Sequence, residues 1–180
     1  MRTLWLRDRA LDLDRVRLLG VLNLTPDSFS DGGRYLDPER ALERAREMVA
    51  EGADILDWGA ESTRPGAAPV PVEEEKRRLL PVLEAVLSLG VPVSVDTRKP
   101  EVAEEALKLG AHLLNDVTGL RDERMVALAA RHGVAAVVMH MPVPDPATMM
   151  AHARYRDVVA EVKAFLEAQA KRALSAGVPQ

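Results

Sequence analysis

Apolar residues along the chain fall into short continuous runs that alternate with longer stretches of helical spacing. RLLGVLNL, residues 17–24, is an unbroken run suited to a buried strand. After Asp37, a plausible cap, PERALERAREMVAEGA carries Ala41, Leu42, Ala45, Met48 and Val49 at helical intervals, and Gly52 ends the pattern. ADILDWG then predicts a second strand, and VEEEKRRLLPVLEAVLSLG a second helix with Leu79, Leu83, Val86 and Leu87 as its stripe. The alternation continues through VPVSVD (strand), PEVAEEALKLG (helix), AHLLND (strand), DERMVALAARHG (helix) and VAAVVMH (strand). A last helix is predicted over roughly residues 155–175, with Val159, Val162, Leu166 and Ala173 on one face.

Strands that alternate with helices pair in parallel through right-handed crossovers. Both a doubly wound sheet and a TIM (β/α)8 barrel satisfy that pattern. The polar residues at the strand ends, Asn23, Asp57, Asp96, Asn115 and His140, favour the barrel, because a barrel brings all strand carboxyl ends to one mouth and an open sheet concentrates its site at a switch point. A single Asp or Asn after a strand is ordinarily a turn former or a helix cap. Five together point to a shared mouth.

Composition narrows the function classes. The 180 residues, 47% of them hydrophobic, suffice for one sizeable core with no linker-like division, so a single domain over 1–180 is expected. No cysteine is present, which removes disulfides and thiolate metal sites. The apolar runs are too short to span a bilayer, and MRTLWLRDRALDLD is too charged for a secretory signal, so no membrane role and a cytoplasmic location are expected. A net charge of -4 and 3% aromatics argue against nucleic acid, while a few local Arg and Lys side chains still suit a small anion.

Two loops carry more polar chemistry than a turn needs. The first, LNLTPDSFSDGG, holds Asn23, Thr25, Asp27, Ser28, Ser30 and Asp31 and ends in paired glycines, which reads as a lid at the mouth. The second, GAESTRPGAAPVP, offers Ser62, Thr63 and Arg64 as hydroxyl and guanidinium donors for an anion.

LNLTPDSFSDGG, DILDWGAESTRPGA, SVDT and HLLNDV together resemble the dihydropteroate synthase family over essentially the whole chain. The resemblance implies a pterin-binding TIM barrel, of which this chain supplies about the first five βα units. It implies an enzyme that joins p-aminobenzoate to a hydroxymethyl-dihydropterin diphosphate with release of pyrophosphate, assisted by Mg2+ and inhibited by sulfonamides. The residues that match the family's motifs are Asn23 as the Mg2+ ligand, Asp31 near the reacting carbon and Phe29 as a wall for the aminobenzoate ring. Thr63 and Arg64 match residues at the substrate and the pyrophosphate, Asp96 and Asn115 pterin ligands, and Met139 a pterin-packing side chain. The resemblance also implies a homodimer in the complete protein. Trp58 and Ala60 depart from the family's usual small aliphatic and glycine, and the family's later Asp-Pro-Gly, Ser-Arg-Lys and Arg-x-His segments have no counterpart, so a longer chain is expected. Two further readings remain open from the residues: a methyltransferase barrel that handles a methylated pterin, and a non-catalytic pterin-binding or partner subunit.

Overall fold

The computed structural model describes residues 2–23, 38–63 and 67–179. Strands β1 (Thr3–Leu6) and β2 (Arg9–Asp12) form an antiparallel hairpin. Five parallel strands follow: β3 (Leu19–Asn23), β4 (Ile55–Gly59), β5 (Val93–Asp96), β6 (Leu113–Asp116) and β7 (Ala135–Val138). Between and after them come α1 (Pro38–Ala50), α2 (Val72–Leu87), α3 (Pro100–Leu109), α4 (Glu123–His132), a 3-10 turn at Pro146–Thr148, α5 (Met149–His152) and α6 (Val158–Ser175). The parallel strands lie in the order β3-β4-β5-β6-β7, with no reversal. A doubly wound sheet reverses at a switch point; without one, right-handed crossovers stack every helix on the same face, which is the arrangement of successive barrel units.

Period-two alternation divides the strand residues between two faces. On the helix side Leu56, Trp58, Val93, Val95 and Leu114 are fully buried against Ala41 and Ala45 of α1, Leu79 and Leu83 of α2, Ala103 and Leu107 of α3 and Met125 and Ala129 of α4. Gly20 belongs to this face, where an added Cβ would lie 3.2 Å from the Met48 sulfur. Trp58 therefore fills the layer between sheet and helices, away from the strands' inner face.

The termini of the elements follow local chemistry. Pro100 begins α3 and Gly110, at φ 118°, ends it. The side chain of Asp122 accepts from the Arg124 amide at 2.9 Å and caps α4. The last helix begins at Val158 rather than near Tyr155, because Asp157 is extended and its carboxylate accepts from the Ala160 amide at 3.0 Å.

The hairpin, which nothing in the opening charged stretch announced, closes the amino-terminal end of the sheet's inner face. Leu6 is fully buried there with Ile55, Leu113 and Ala135, and Leu4 and Leu11 pack alongside. Its turn residue Arg7, at φ 61°, donates to the Leu107 carbonyl at 2.8 Å and the Ala111 carbonyl at 3.3 Å, and Arg9 donates to the Gly90 carbonyl. Arg7 thus sits at the negative end of α3, and Arg9 at the turn that follows α2. His112 Nδ1 accepts from the Val93 amide at 3.2 Å, and burial foremost lowers its pKa, so the imidazole is a neutral structural acceptor.

Leu6→Ala should destabilise the protein by about 2–5 kcal/mol, the range for deleting a fully buried Leu. Urea unfolding checks this; a loss below about 0.5 kcal/mol would show the hairpin to be detached from the core.

Candidate functional site at the carboxyl ends of the strands

The parallel register aligns Asn23, Gly59, Asp96, Asn115 and Val137 in one row across the five strands. Directly beneath lies the row Val21, Asp57, Ser94, Leu113 and Ala135. Paired residues on parallel strands project to the same face, so both rows line the inner surface at the carboxyl end. The sequence expectation that the mouth draws Asn23, Asp96 and Asn115 together holds in this register.

Asp96 and Asn115 stand on adjacent strands, and the missing side chain at Gly59 makes room for the Asp96 carboxylate. A Cβ at Gly59 would lie 3.2 Å from the Asp96 Cβ and 3.3 Å from its Oδ2. Asn115 Nδ2 donates to Asp57 Oδ2 at 3.1 Å, which fixes the amide and directs its carbonyl away from Asp57. Below it, Asp57 Oδ1 and the Ser94 hydroxyl are buried without a partner of full hydrogen-bond geometry among the described residues. Burial raises the Asp57 carboxyl, against the opposing influence of the Ser94 and Asn115 side chains.

Asp96 accepts no hydrogen bond among the described residues. Helix α3 is preceded instead by Thr97, whose Oγ1 accepts from the Lys99 amide at 3.2 Å, so Asp96 is not that helix's cap. Burial first, then the charges of Asp57, Asp116, Glu75 and Glu61, push the Asp96 carboxyl up to about 7. An acid held near neutrality at an open mouth is a group that a ligand with N–H donors could ionise.

A second cluster joins the mouth to the helices. Glu75 of α2, fully buried, accepts from Thr97 Oγ1 at 2.7 Å and pairs with Lys99 Nζ. Lys99 also reaches Glu61 Oε1 at 2.9 Å, and Arg98 Nε donates to Glu61 Oε2 at 2.9 Å. Burial works against the charged form of Glu61, and the Arg98 and Lys99 hydrogen bonds outweigh it, holding the carboxyl below its ordinary value. Glu61 begins the loop that carries the half-buried Thr63.

Asp57 is among the polar strand ends that the sequence points to the mouth, although its bond to Asn115 is not legible there, and Glu61 and Glu75 were missed. A signal existed for Glu75, which lies four residues before Leu79 on the apolar stripe. His140 is corrected. Strand β7 ends at Val138, and the imidazole packs edge-on against Phe165, centroids 5.2 Å apart, with Tyr155 at 5.8 Å. These ring contacts are with α6 and the segment before it, so His140 is not the strand-end residue that the sequence suggested. Met139 follows β7 and is 41% exposed. Asn23 is exposed at the end of β3. Phe29, Asp31 and Arg64 lie outside the described residues. Among the described residues no three His, Cys, Asp or Glu cluster as a metal cage, and no helix is long and apolar enough to cross a membrane.

The family model described as pterin binding enzyme matches residues 19–180. The dihydropteroate synthase of Mycobacterium leprae is 47% identical over 169 residues, covering 93% of this chain and 60% of its own length. A crystal structure of dihydropteroate synthase from Thermus thermophilus in complex with 4-aminobenzoate aligns at a TM-score of 0.88 and 90% identity, over 99% of this chain and 64% of that one. The same organism's enzyme in complex with 6HMPPP aligns at 0.86 and 86% identity, over 100% and 62%. The chain therefore spans about three fifths of the length of these relatives.

An acid whose folded pKa lies above its unfolded value stabilises the fold below the unfolded pKa and loses that advantage as pH rises. For Asp96 the window runs from about pH 4 to about pH 7, and the penalty above it is about 2–4 kcal/mol. Asp96→Asn should therefore match the wild type in thermal melts at pH 4 and exceed it at pH 8. A difference that does not vary with pH would contradict the assigned environment of Asp96.

Proposed function

Because the chain belongs to the pterin binding enzyme family, we propose that it works as a dihydropteroate synthase, condensing a hydroxymethyl-dihydropterin diphosphate with p-aminobenzoate to give dihydropteroate and pyrophosphate. The observation that carries the reading is the Asp96–Asn115 pair at the mouth, with Asp57 fixing the amide from behind. A pterin presents N–H donors and ring acceptors along one edge. Asp96 supplies acceptor oxygens, and Asn115 supplies both a carbonyl and its remaining N–H.

In the reaction the C–O bond between the pterin methylene and the diphosphate breaks, and its electron pair leaves on the pyrophosphate oxygen. The methylene cation is delocalised into the pterin ring, the aniline nitrogen adds its lone pair to form the new C–N bond, and an N–H proton departs to solvent. Binding the pterin edge ionises Asp96, which places a negative charge beside the ring that becomes cationic. Thr63 and Arg64 serve the diphosphate in this proposal, Asp31 the cation, and Phe29 and Met139 the apolar faces. The aniline needs positioning and exclusion of water more than a strong base.

Mg2+ fits the residues present. Asn23 offers a hard amide oxygen at the exposed end of β3, and this cation is commonly held by one or two protein oxygens together with waters and substrate phosphates. When bound it supplies charge neutralisation to the leaving diphosphate. A cytoplasmic location and a homodimer in the complete protein belong to the same proposal.

With the protein expressed from its complete reading frame, pyrophosphate release should depend on p-aminobenzoate. Release without the amine, or none with both substrates, would sink the assignment. Pterin affinity by calorimetry should rise about tenfold from pH 6 to pH 8 as Asp96 ionises. Asp96→Asn should abolish that dependence and weaken binding roughly thirty- to thousandfold, the loss of a charge-assisted hydrogen bond in a desolvated pocket. Unchanged binding would remove Asp96 from the site. Asn23→Ala should raise the Mg2+ concentration needed for half-maximal turnover; an unaltered Mg2+ dependence would return Asn23 to the role of a strand-end residue.

A further inference from the structure

We propose that Glu61 is the positioning residue of the second mouth loop, clamping its first residues, Ser62 and Thr63, to its last, Ala67 to Val70, so that the Thr63 donors are presented to the diphosphate. The inference rests on the function proposed above and assigns a role to a side chain that touches no substrate in it. Glu61 stands at the base of the loop, just beyond β4, and its Oε1 accepts from the amide of Val70 at the loop's far end, 2.9 Å away. One carboxylate therefore ties both ends of the loop together. The same Oε1 receives Lys99 Nζ at 2.9 Å, and Oε2 receives Arg98 Nε at 2.9 Å.

This is not an ordinary surface ion pair. The side chains of Glu61, Lys99 and Glu75 are 6%, 15% and 0% exposed, so solvent screening is weak and the geometry is held. Lys99 is itself fixed by Glu75, whose other oxygen is satisfied by Thr97. The chain of contacts runs from α2 through the start of α3 to the loop, so the loop is referenced to two packed helices. Glu61, Ser62, Ala67 and Pro69 line a cleft together with Arg98 and Asp145, so the carboxylate and both described ends of the loop border one space. The two carboxylates and two cations of the cluster balance, and Arg98 at its edge can turn to water when Glu61 is neutralised, so Glu61→Gln leaves the buried Lys99–Glu75 pair intact.

The test uses the protein expressed from its complete reading frame, as wild type, Glu61→Gln and Glu61→Asp. Hydrogen exchange at the Val70 amide should accelerate at least tenfold in Glu61→Gln while amides of β4 are unchanged. Affinity for inorganic pyrophosphate with Mg2+ should fall at least tenfold while affinity for a pterin without the diphosphate stays within twofold, and the KM of the pterin diphosphate should rise while that of p-aminobenzoate stays within about twofold. Glu61→Asp, which keeps the charge, should recover part of the pyrophosphate affinity. Unchanged Val70 exchange, or pterin and pyrophosphate affinities that fall together, would overturn the proposal; should Glu61→Gln fail to fold, Glu61→Asp is judged by the same exchange and binding criteria. A wild type that binds neither pterin nor pyrophosphate would remove the proposed function instead, and the clamp would then stand or fall on Val70 exchange alone.

Discussion

Asp57, Asp96, Glu61 and Glu75 are drawn together at one end of a parallel sheet, where water is partly excluded and like charges repel at close range. The local structure is arranged around that repulsion. Asn115 donates to Asp57, Lys99 stands between Glu61 and Glu75, Thr97 satisfies the remaining oxygen of Glu75, and Arg98 covers the outer edge of Glu61. Asp96 alone has no such partner among the described residues, and it takes up the imbalance as a carboxyl pushed up to about 7. The other three have hydrogen-bond partners and it has none among the described residues, which is why it is the group free to answer a ligand.

The two faces of the sheet divide stability from chemistry. On the helix side a continuous apolar layer, with Trp58 and Leu56 fully buried in it, holds the strands in place, and the inner face at the amino-terminal end is closed by Leu6 over Ile55, Leu113 and Ala135. The carboxyl end of that inner face carries the polar rows. Small residues set the clearances: Gly59 admits the Asp96 carboxylate, and at Gly119, φ 72°, a Cβ would fall 2.3 Å from the Met139 carbonyl oxygen. That close approach lets the β6–α4 loop, tied by Asp116 to the amides of Thr118 and Leu120, pack against the end of β7 and Phe165.

Much of this was legible along the chain. Period-two and period-3.6 patterns act over neighbouring residues, so the helices and parallel strands, and the inward parity of Asn23, Asp96 and Asn115, follow from sequence alone. The choice between barrel and doubly wound sheet was inferable only from polar strand ends, and one of those, His140, belongs with Phe165 and Tyr155 instead. The hairpin was invisible because its apolar alternation is short and interrupted by Arg7, Asp8 and Arg9. The Arg7 guanidinium finds its acceptor at the end of α3, 100 positions along the chain, and that of Arg9 just past α2, 81 positions along. Among Glu73, Glu74 and Glu75, the helical stripe points to the third, yet nothing local supplies its cation.

What the sequence by itself determined is the alternation of elements and the set of polar side chains delivered to one end of them. Tertiary structure decided which of those side chains became partners. Asn115 meets Asp57 across 58 positions of chain and Lys99 meets Glu75 across 24, and no local pattern encodes either pairing. The state of Asp96 is further removed still, since it depends on burial and on the summed charge of carboxylates from β4, β6, α2 and the loop at Glu61. Secondary structure is written in short-range periodicity, whereas electrostatic environment is a property of the assembled register, and it came into being only when the strands were laid side by side.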